Sequence, residues 1–426
     1  MEGGGIHSVR VTTVGPGKQT GLNAEFDPGN LGLAMKLHYL RGVYYFRSEA
    51  FEGLTTLNVK EPLFSWLNQF PMPCGRFRRS PSGRPFIKCN DCGVRFIHAK
   101  CDHTLDHWLH IKDSLLEALL CQNHVLGPQL PYSPLLYLQM TVFKCGGVGM
   151  GLSWAHVVGD AFSAAKIMNM LGRVISGFKP ERPIDLTQTL NELRIPDCVP
   201  NITEDPVSVR RVDPVGDSWV YATTCKMETF SFNVSPAKLS HLRSKLAKHG
   251  VDSPSFESLA AAIWQCIARI RADSRVVNIF RKGHEASSNN SILGNNQIVS
   301  VVRAAFAVAE ANPSELAWML KNEALDETKI IQQAVERDGG SSDFIIFGVN
   351  LSFVNLEEAT FYDLECRRGQ KPISVSCKID SVGEKGVVLV LPGDGDKSGG
   401  RLVTVTLPEN EVVGVKSELK REGLMA

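Results

Sequence analysis

The chain has 426 residues, of which 43% are apolar and 21% charged, and its 46 basic and 45 acidic side chains leave a formal charge of +1. That length exceeds one comfortable hydrophobic core, so two domains are expected. The near-neutral balance excludes a global field that would recruit nucleic acid or an anionic membrane. Basic runs such as Arg76-Phe-Arg-Arg79 and Arg367-Arg368 are short enough to be solvated surface. No apolar run reaches the roughly 18–20 residues that cross a bilayer, so no membrane span is expected. Met1-Glu-Gly-Gly-Gly-Ile-His-Ser8 has no basic segment leading into an apolar one, which argues against a secretory signal. Eleven cysteines, an odd number in a chain without a signal, favour reduced thiols in a cytosolic setting. The sequon Asn201-Ile-Thr203 is then expected to be unused.

In chain order, Val9–Val14 alternates like a strand, and Leu37–Phe46 reads as a buried one. Leu57–Asn68 has the look of a short helix. Phe86–Cys89 and Val94–Ile97 read as the strands of a hairpin. Leu135–Lys144 and Gly147–Trp154 are apolar runs split by Cys145-Gly-Gly147, a hairpin signal. Phe162–Ile175 has helical spacing that ends at Gly177. From about Phe178 to Val215 the chain is rich in Pro, Asp and Glu without a clear period, which reads as an exposed crossover between two halves. The expected division is a first domain over residues 1–177, a crossover loop over 178–223 and a second domain over 224–426. In the second half, Pro236–His249, Phe256–Ala272 and Ser314–Glu336 are helix candidates. Gly386–Leu391 and Arg401–Leu407 are strands joined by a Gly/Asp-rich loop.

Chemistry concentrates in Leu152-Ser-Trp-Ala-His-Val-Val-Gly-Asp-Ala-Phe-Ser163, which sets His156 and Asp160 four residues apart where a strand gives way to a helix. A histidine takes a proton near neutral pH, as general acid–base catalysis requires. H-x-x-x-D alone is a weak signal, and a core histidine at a strand end is the competing reading. Cys89-x-x-Cys92 with Cys101-Asp-His103 offers four zinc-type ligands, but the spacing is irregular, so no metal site is assigned. Gly393–Gly400 lacks phosphate-loop spacing and reads as a loop between strands.

The order strand, Gly-Gly turn, strand, Ser-Trp-Ala-His-Val-Val-Gly-Asp, helix resembles the plant BAHD acyl-CoA-dependent acyltransferases. Phe70-Pro-Met-Pro-Cys-Gly-Arg-Phe77, Ser253-Pro-Ser-Phe-Glu-Ser-Leu-Ala-Ala-Ala-Ile-Trp264 and Gly369-Gln-Lys-Pro372 are similar to three further motifs of that family. Leu33-Ala-Met-Lys-Leu-His-Tyr39, Lys144-Cys-Gly-Gly147, Gly340-Ser-Ser-Asp-Phe344 and Asn350-Leu-Ser-Phe-Val-Asn-Leu356 resemble one branch, the Eceriferum/Glossy wax proteins.

The resemblance implies an α/β fold of two chloramphenicol-acetyltransferase-like domains with a channel between them and His156 at its centre. It implies His156 as the general base, with acyl-CoA as substrate or ligand and no bound cofactor. Asp160 takes a structural role in this reading, paired with an arginine for which Arg281 is the candidate. The branch is associated with elongation of very-long-chain acyl-CoAs for cuticular wax. Its members act beside the condensing enzyme of the fatty acid elongase (the 3-ketoacyl-CoA synthase). A peripheral monomer at the cytosolic face of the endoplasmic reticulum is therefore expected, apart from that partner. The alternative is an active transferase acylating an alcohol or amine.

Two departures from the family pattern bear on that choice. Ala155 and Ala161 flank the motif where the family has His or Asn and Gly. Near the C-terminus, Glu365-Cys-Arg-Arg-Gly369 replaces Asp-Phe-Gly-Trp-Gly, with one extra residue before Lys371-Pro372. Glu365 keeps a carboxylate, while the aromatic pair and the first glycine are gone. Ordinary turnover of CoA esters is thereby in doubt, but the fold is not.

Overall fold

The structure is a computed structural model. It describes residues 5–111, 114–121, 130–179, 205–213, 215, 225–247, 254–271, 274–283, 293–393 and 399–425. Most of the 178–223 crossover, the Asn201 sequon and the tip of the Gly393–Gly400 loop lie outside the described residues.

Eighteen strands appear among them: β1 (Ile6–Val14), β2 (Glu25–Phe26), β3 (Tyr39–Phe46), β4 (Arg76–Arg79), β5 (Pro85–Lys88), β6 (Val94–Cys101), β7 (Leu136–Phe143), β8 (Val148–Ala155), β9 (Arg210–Val212), β10 (Met227–Val234), β11 (Val276–Lys282), β12 (Gln297–Arg303), β13 (Leu325–Asp326), β14 (Asp343–Ile345), β15 (Leu351–Asn355), β16 (Ser374–Asp380), β17 (Val387–Pro392) and β18 (Arg401–Pro408). The first half carries helices α1 (Gly29–Ala34), α2 (Thr56–Leu67), α3 (Leu105–Ile111), α4 (Ser114–Glu117) and α5 (Ala161–Ile175).

One six-stranded sheet runs β1-β6-β7-β8-β3-β16, and a seven-stranded sheet runs β10-β18-β17-β15-β11-β12-β13. β8 sits inside the first sheet with all eight residues buried. Glycine suits it there: a Cβ on Gly151 would lie 1.9 Å from the Leu120 carbonyl oxygen. The turn Lys144–Gly147 joins β7 to β8, with Gly146 at φ +84°, a left-handed conformation that favours glycine. In the second half, the helix Ser255–Ala268 buries thirteen of its fourteen residues. Side chains of Leu259, Ile263 and Ile267 share a core with Val277 and Ile279 of β11 and Val403 and Val405 of β18.

Three expectations are corrected. The 224–426 segment is not self-contained, because β16 pairs antiparallel with β3 along its whole length, from Ser374–Tyr45 to Asp380–Tyr39. The second half thus supplies the last strand of the first sheet. Phe86–Cys89 and Val94–Ile97 do not form a hairpin: β5 joins β4 and β2 in a separate three-stranded sheet, while β6 pairs with β1 and β7. Between them Asp91 (φ +55°) and Gly93 (φ +79°) turn the chain away, and the Asp91 carboxylate accepts from the Thr20 N–H at 2.9 Å. The single helix expected over 314–336 is two helices, Pro313–Asn322 and Thr328–Glu336. β13 separates them by pairing with β12, and Asp326 Oδ1 accepts from Thr328 N–H at 2.8 Å to start the second.

The two halves share one core. Tyr44, Trp66 and Trp154 from the first half pack in the same cluster as Phe280, Val299 and Phe344–Phe347 from the second. Within this junction Lys36 is 1% exposed and pairs with Asp343 at 2.7 Å. The ammonium also donates to the carbonyls of Ser342 (2.7 Å) and Gly340 (3.3 Å). Burial lowers the lysine's pKa, opposed by Asp343. A buried pair broken on one side leaves an uncompensated charge, whereas replacing both partners does not. Lys36→Met should cost about 3–5 kcal/mol in urea unfolding, and the Lys36→Met/Asp343→Leu double variant should recover most of it. An equal loss in single and double variants would show that the pair is not what matters.

Candidate functional site

β8 ends at Ala155, and the chain enters one 3-10 turn, His156–Val158, before α5. The Trp154 indole N–H donates to the Gly159 carbonyl at 2.7 Å and fixes that turn from within. His156 then lies between the ends of the central strands. Its N–H donates to the His38 carbonyl at 3.1 Å, and its carbonyl accepts from the Asn295 side-chain amide at 2.8 Å.

Asp160 caps α5. Oδ1 accepts from the Ser163 N–H at 2.9 Å, and Oδ2 accepts from the Asn296 N–H at 3.0 Å. The Asp160 N–H and the Ser163 hydroxyl both donate to the Gly294 carbonyl, at 3.1 and 2.9 Å. One carboxylate therefore ties a helix of the first half to the segment that leads into β12. Burial pushes the Asp160 pKa up, and the N–H donors hold it down.

Arg281 is not its partner. The guanidinium donates to Glu257 at 3.1 Å and to the Leu320 carbonyl at 2.7 Å. Strand alternation explains why. Phe280 points to the junction and meets Phe347 with ring centroids 4.5 Å apart, so Arg281 points to the opposite face, beneath the helix Ser255–Ala268. Among the described residues Asp160 has no ion-pair partner, and backbone N–H groups do the work expected of an arginine.

A second histidine, not singled out in the sequence as a site residue, stands beside the first. Nε2 of His38 accepts from the Ile346 N–H at 3.1 Å, which leaves the ring proton on Nδ1, 3.4 Å from the Asp380 carbonyl. Phe347 packs against both rings, 4.9 Å from His38 and 5.4 Å from His156 between centroids. The one available signal was its place inside the Leu33–Tyr39 stretch. His156 is 1% exposed, and its Nδ1 is buried without a hydrogen-bond partner. Burial lowers both pKa values, to about 3 for His38 and about 4 for His156. At neutral pH the His156 ring is thus unprotonated and in the form that accepts a proton. The resemblance implied His156 at the centre of a channel; here the ring is closed to solvent and packs against Phe347.

The altered C-terminal motif lies elsewhere. The Glu365 carboxylate accepts from the Gly369 N–H at 3.0 Å, and Gly369 has φ +77°, so the loop closes on itself. Its backbone rests on the far end of α5: Ser176 Oγ donates to the Glu365 carbonyl at 2.9 Å. Lys371 forms an exposed pair with Asp363 at 3.1 Å, and Pro372 leads into β16. At 1.5 Å per residue, the length of α5 separates this loop from Asp160 by roughly 20 Å. Cys89 is buried and Cys92 exposed, and no group of three or more metal-ligating side chains gathers among the described residues.

Residues 12–421 match the profile described as the Transferase family. The chain belongs to that family. It is 41% identical to Protein ECERIFERUM 26 of Arabidopsis thaliana over 99% of this chain and 97% of that one. Protein ECERIFERUM 2 of the same plant is 36% identical over 98% of this chain and 99% of that one. These relatives place this member of the transferase family in the Eceriferum branch. Vinorine synthase superposes with a TM-score of 0.74 at 15% identity, covering 99% of this chain and 98% of that one. TRI101 of F. graminearum, complexed with coenzyme A and deoxynivalenol, gives 0.71 at 15% identity over 93% of this chain and 97% of that one. The transferase fold is therefore the two-domain α/β architecture of the BAHD and chloramphenicol-acetyltransferase group.

Two predictions follow the transferase motif. Asp160→Ala removes a helix cap, worth about 0.5–2 kcal/mol, and strands the Asn296 N–H, worth about 1–3 kcal/mol. It should lower the thermal midpoint and soluble yield more than His156→Ala; equal losses would count against the clamp. The second concerns pH. The folded protein binds fewer protons at His38 and His156 than the unfolded chain, so stability falls as pH drops below 6.5 toward about 4. Each ring contributes a slope approaching about 1.4 kcal/mol per pH unit. His156→Gln should flatten the measured slope over that window; parallel profiles for variant and wild type would refute the assignment.

Proposed function

We propose that this chain promotes elongation of very-long-chain fatty acyl-CoAs for cuticular wax, acting with a 3-ketoacyl-CoA synthase at the cytosolic face of the endoplasmic reticulum. The reading is supported by full-length similarity to the Eceriferum proteins, at 41% and 36% identity, on a fold built for acyl transfer. One geometric observation carries the preference for an accessory role over turnover: His156 is 1% exposed and flanked by Phe347. A general base of an acyltransferase must meet its acceptor within hydrogen-bond reach.

The physical need for such a protein is plain. Each CH₂ left in water costs about 0.8 kcal/mol relative to burial, so a very long acyl chain has to be shielded as it grows. A two-domain acyltransferase fold offers a junction where an acyl-CoA can lie. In the alternative reading His156 remains the general base for an alcohol or amine acceptor. At neutral pH the ring is free to accept a proton, though burial makes it a weaker base than an exposed histidine.

Acyl-chain length in yeast expressing a plant 3-ketoacyl-CoA synthase separates the two. This chain should lengthen the products, and His156→Ala at matched expression should lengthen them equally. Activity in the wild type alone would instead indicate base chemistry at His156. No change with either form would overturn the elongation reading, and release of free CoA only when an acceptor is added would establish the alternative.

A further inference from the structure

Away from the junction, β1 and β6 form one wall of a groove of about 330 Å³, and the first turns of α2 form the other. Antiparallel register puts Arg10 opposite His98 and Thr12 opposite Phe96, so these side chains share the face toward α2. Lys60 enters from the helix and Lys100 from the end of β6. Among the described residues, none of the side chains of Arg10, Lys60, His98 and Lys100 has an ion-pair or hydrogen-bond partner, and no carboxylate lines the groove. The first turn of α2 also lacks an acidic residue; Thr55 and Asn58 cap it, leaving the helix dipole uncompensated on that side. Glu61 lies on α2 outside the lining. Mutual repulsion is visible at His98, whose pKa is lowered by burial and then by Lys100 and Arg10.

In a chain of net charge +1, this concentration of unpaired cations is local. Such a groove is complementary to a phosphate ester. The rim decides among phosphate sources. Leu57 is 59% exposed and Phe64 42%, and both stand on the α2 stripe that carries Lys60. Leu57, Lys60 and Phe64 follow one another at i,i+3 and i,i+4 spacing, so they share one outward face, on which Glu61 is the one acidic neighbour. Cations set between exposed apolar side chains suit a charged interface with an apolar layer beneath, which neither a soluble phosphate nor an acidic peptide presents. No helix among the described residues is long and apolar enough to cross a membrane, so contact at this surface is peripheral.

We propose that the groove between β1, β6 and α2 binds the phosphate headgroups of anionic lipids and docks the protein on a membrane surface through Arg10, Lys60 and Lys100, with Leu57 and Phe64 entering the interface. The proposal stands independently of the elongation reading.

Co-sedimentation of the full chain with vesicles tests it. Binding to phosphatidylcholine–phosphatidylserine and phosphatidylcholine–phosphatidylinositol vesicles, but not to phosphatidylcholine alone, is expected, and added salt should weaken it. With about fivefold per basic residue, Arg10→Gln/Lys60→Gln/Lys100→Gln should weaken binding about 100-fold while the thermal midpoint holds. Leu57→Ser/Phe64→Ser should remove the binding that survives high salt. Failure of the wild type to bind anionic vesicles, or equal binding by the triple variant, would overturn the proposal. So would tight binding of inorganic phosphate in calorimetry without vesicle binding, which marks a soluble-phosphate site. Capture of poly-glutamate in place of vesicles would mark an acidic-polypeptide site and overturn it equally.

Discussion

The candidate site depends on one carboxylate that answers to both halves of the chain. Asp160 accepts from Ser163 in its own helix and from Asn296 in the segment before β12. An ionised carboxylate is all acceptor, with two oxygens that can point to different donors, so it can cap a helix and hold a crossing strand at once. An amide in its place would bring N–H donors of its own to a site crowded with N–H groups. Around this point Gly294 takes the Asp160 N–H and the Ser163 hydroxyl, and Asn295 reaches the His156 carbonyl. Three consecutive residues of the second half thus meet the two ends of the H-x-x-x-D turn, His156 and Asp160, and Ser163 in the helix that follows. The position of His156 is set by backbone contacts made across the junction rather than by its own ring.

Much of this was legible in the chain. The hairpin Leu135–Trp154, the helix after Asp160 and the helix over Ser255–Ala268 follow from apolar period and Gly turns, because local propensity and burial agree there. The pairing of Asp160 was not legible. Its partners are backbone N–H groups, which every residue carries, so no side chain advertises them. The expected partner Arg281 lost its place to strand alternation, since Phe280 takes the junction face. Nor does local pattern reveal that β16 crosses to β3: Ser374–Asp380 alternates like any half-buried strand, and only long-range pairing decides which sheet it completes.

Three stretches that resemble the Eceriferum branch converge in space, although they are spread over the sequence. Lys36, in Leu33–Tyr39, pairs with Asp343, in Gly340–Phe344. His38, two residues on, accepts from the Ile346 N–H, next to Phe347. Asn350, opening the third stretch, donates to Asn278 Oδ1 at 3.0 Å and to the Val207 carbonyl at 2.9 Å, and so anchors the end of the crossover beside β11. A buried lysine–aspartate pair is weak evidence for stability, because desolvation offsets its attraction, but its single geometry joins two elements distant in sequence. Here it fixes the segment that delivers Phe347 to the two histidines.

That geometry separates two departures that sequence alone would merge. The loop Glu365–Gly369, where the family pattern is altered, closes through its own carboxylate at the far end of α5, about 20 Å from Asp160 by helix rise. A change there can alter whatever binds at that end without moving the histidine. His156, in turn, is shut in by its immediate neighbours: Phe347 against the ring, His38 and Asn295 on the backbone. Of these neighbours Phe347 is the one that touches the ring itself. His38 bears on this because its Nε2 accepts from the Ile346 N–H only while neutral, and burial keeps it neutral at neutral pH. That hydrogen bond holds the Ile346–Phe347 segment against both rings. Under the elongation reading proposed above, a histidine enclosed in this way suits a protein that presents an acyl chain better than one that transfers it.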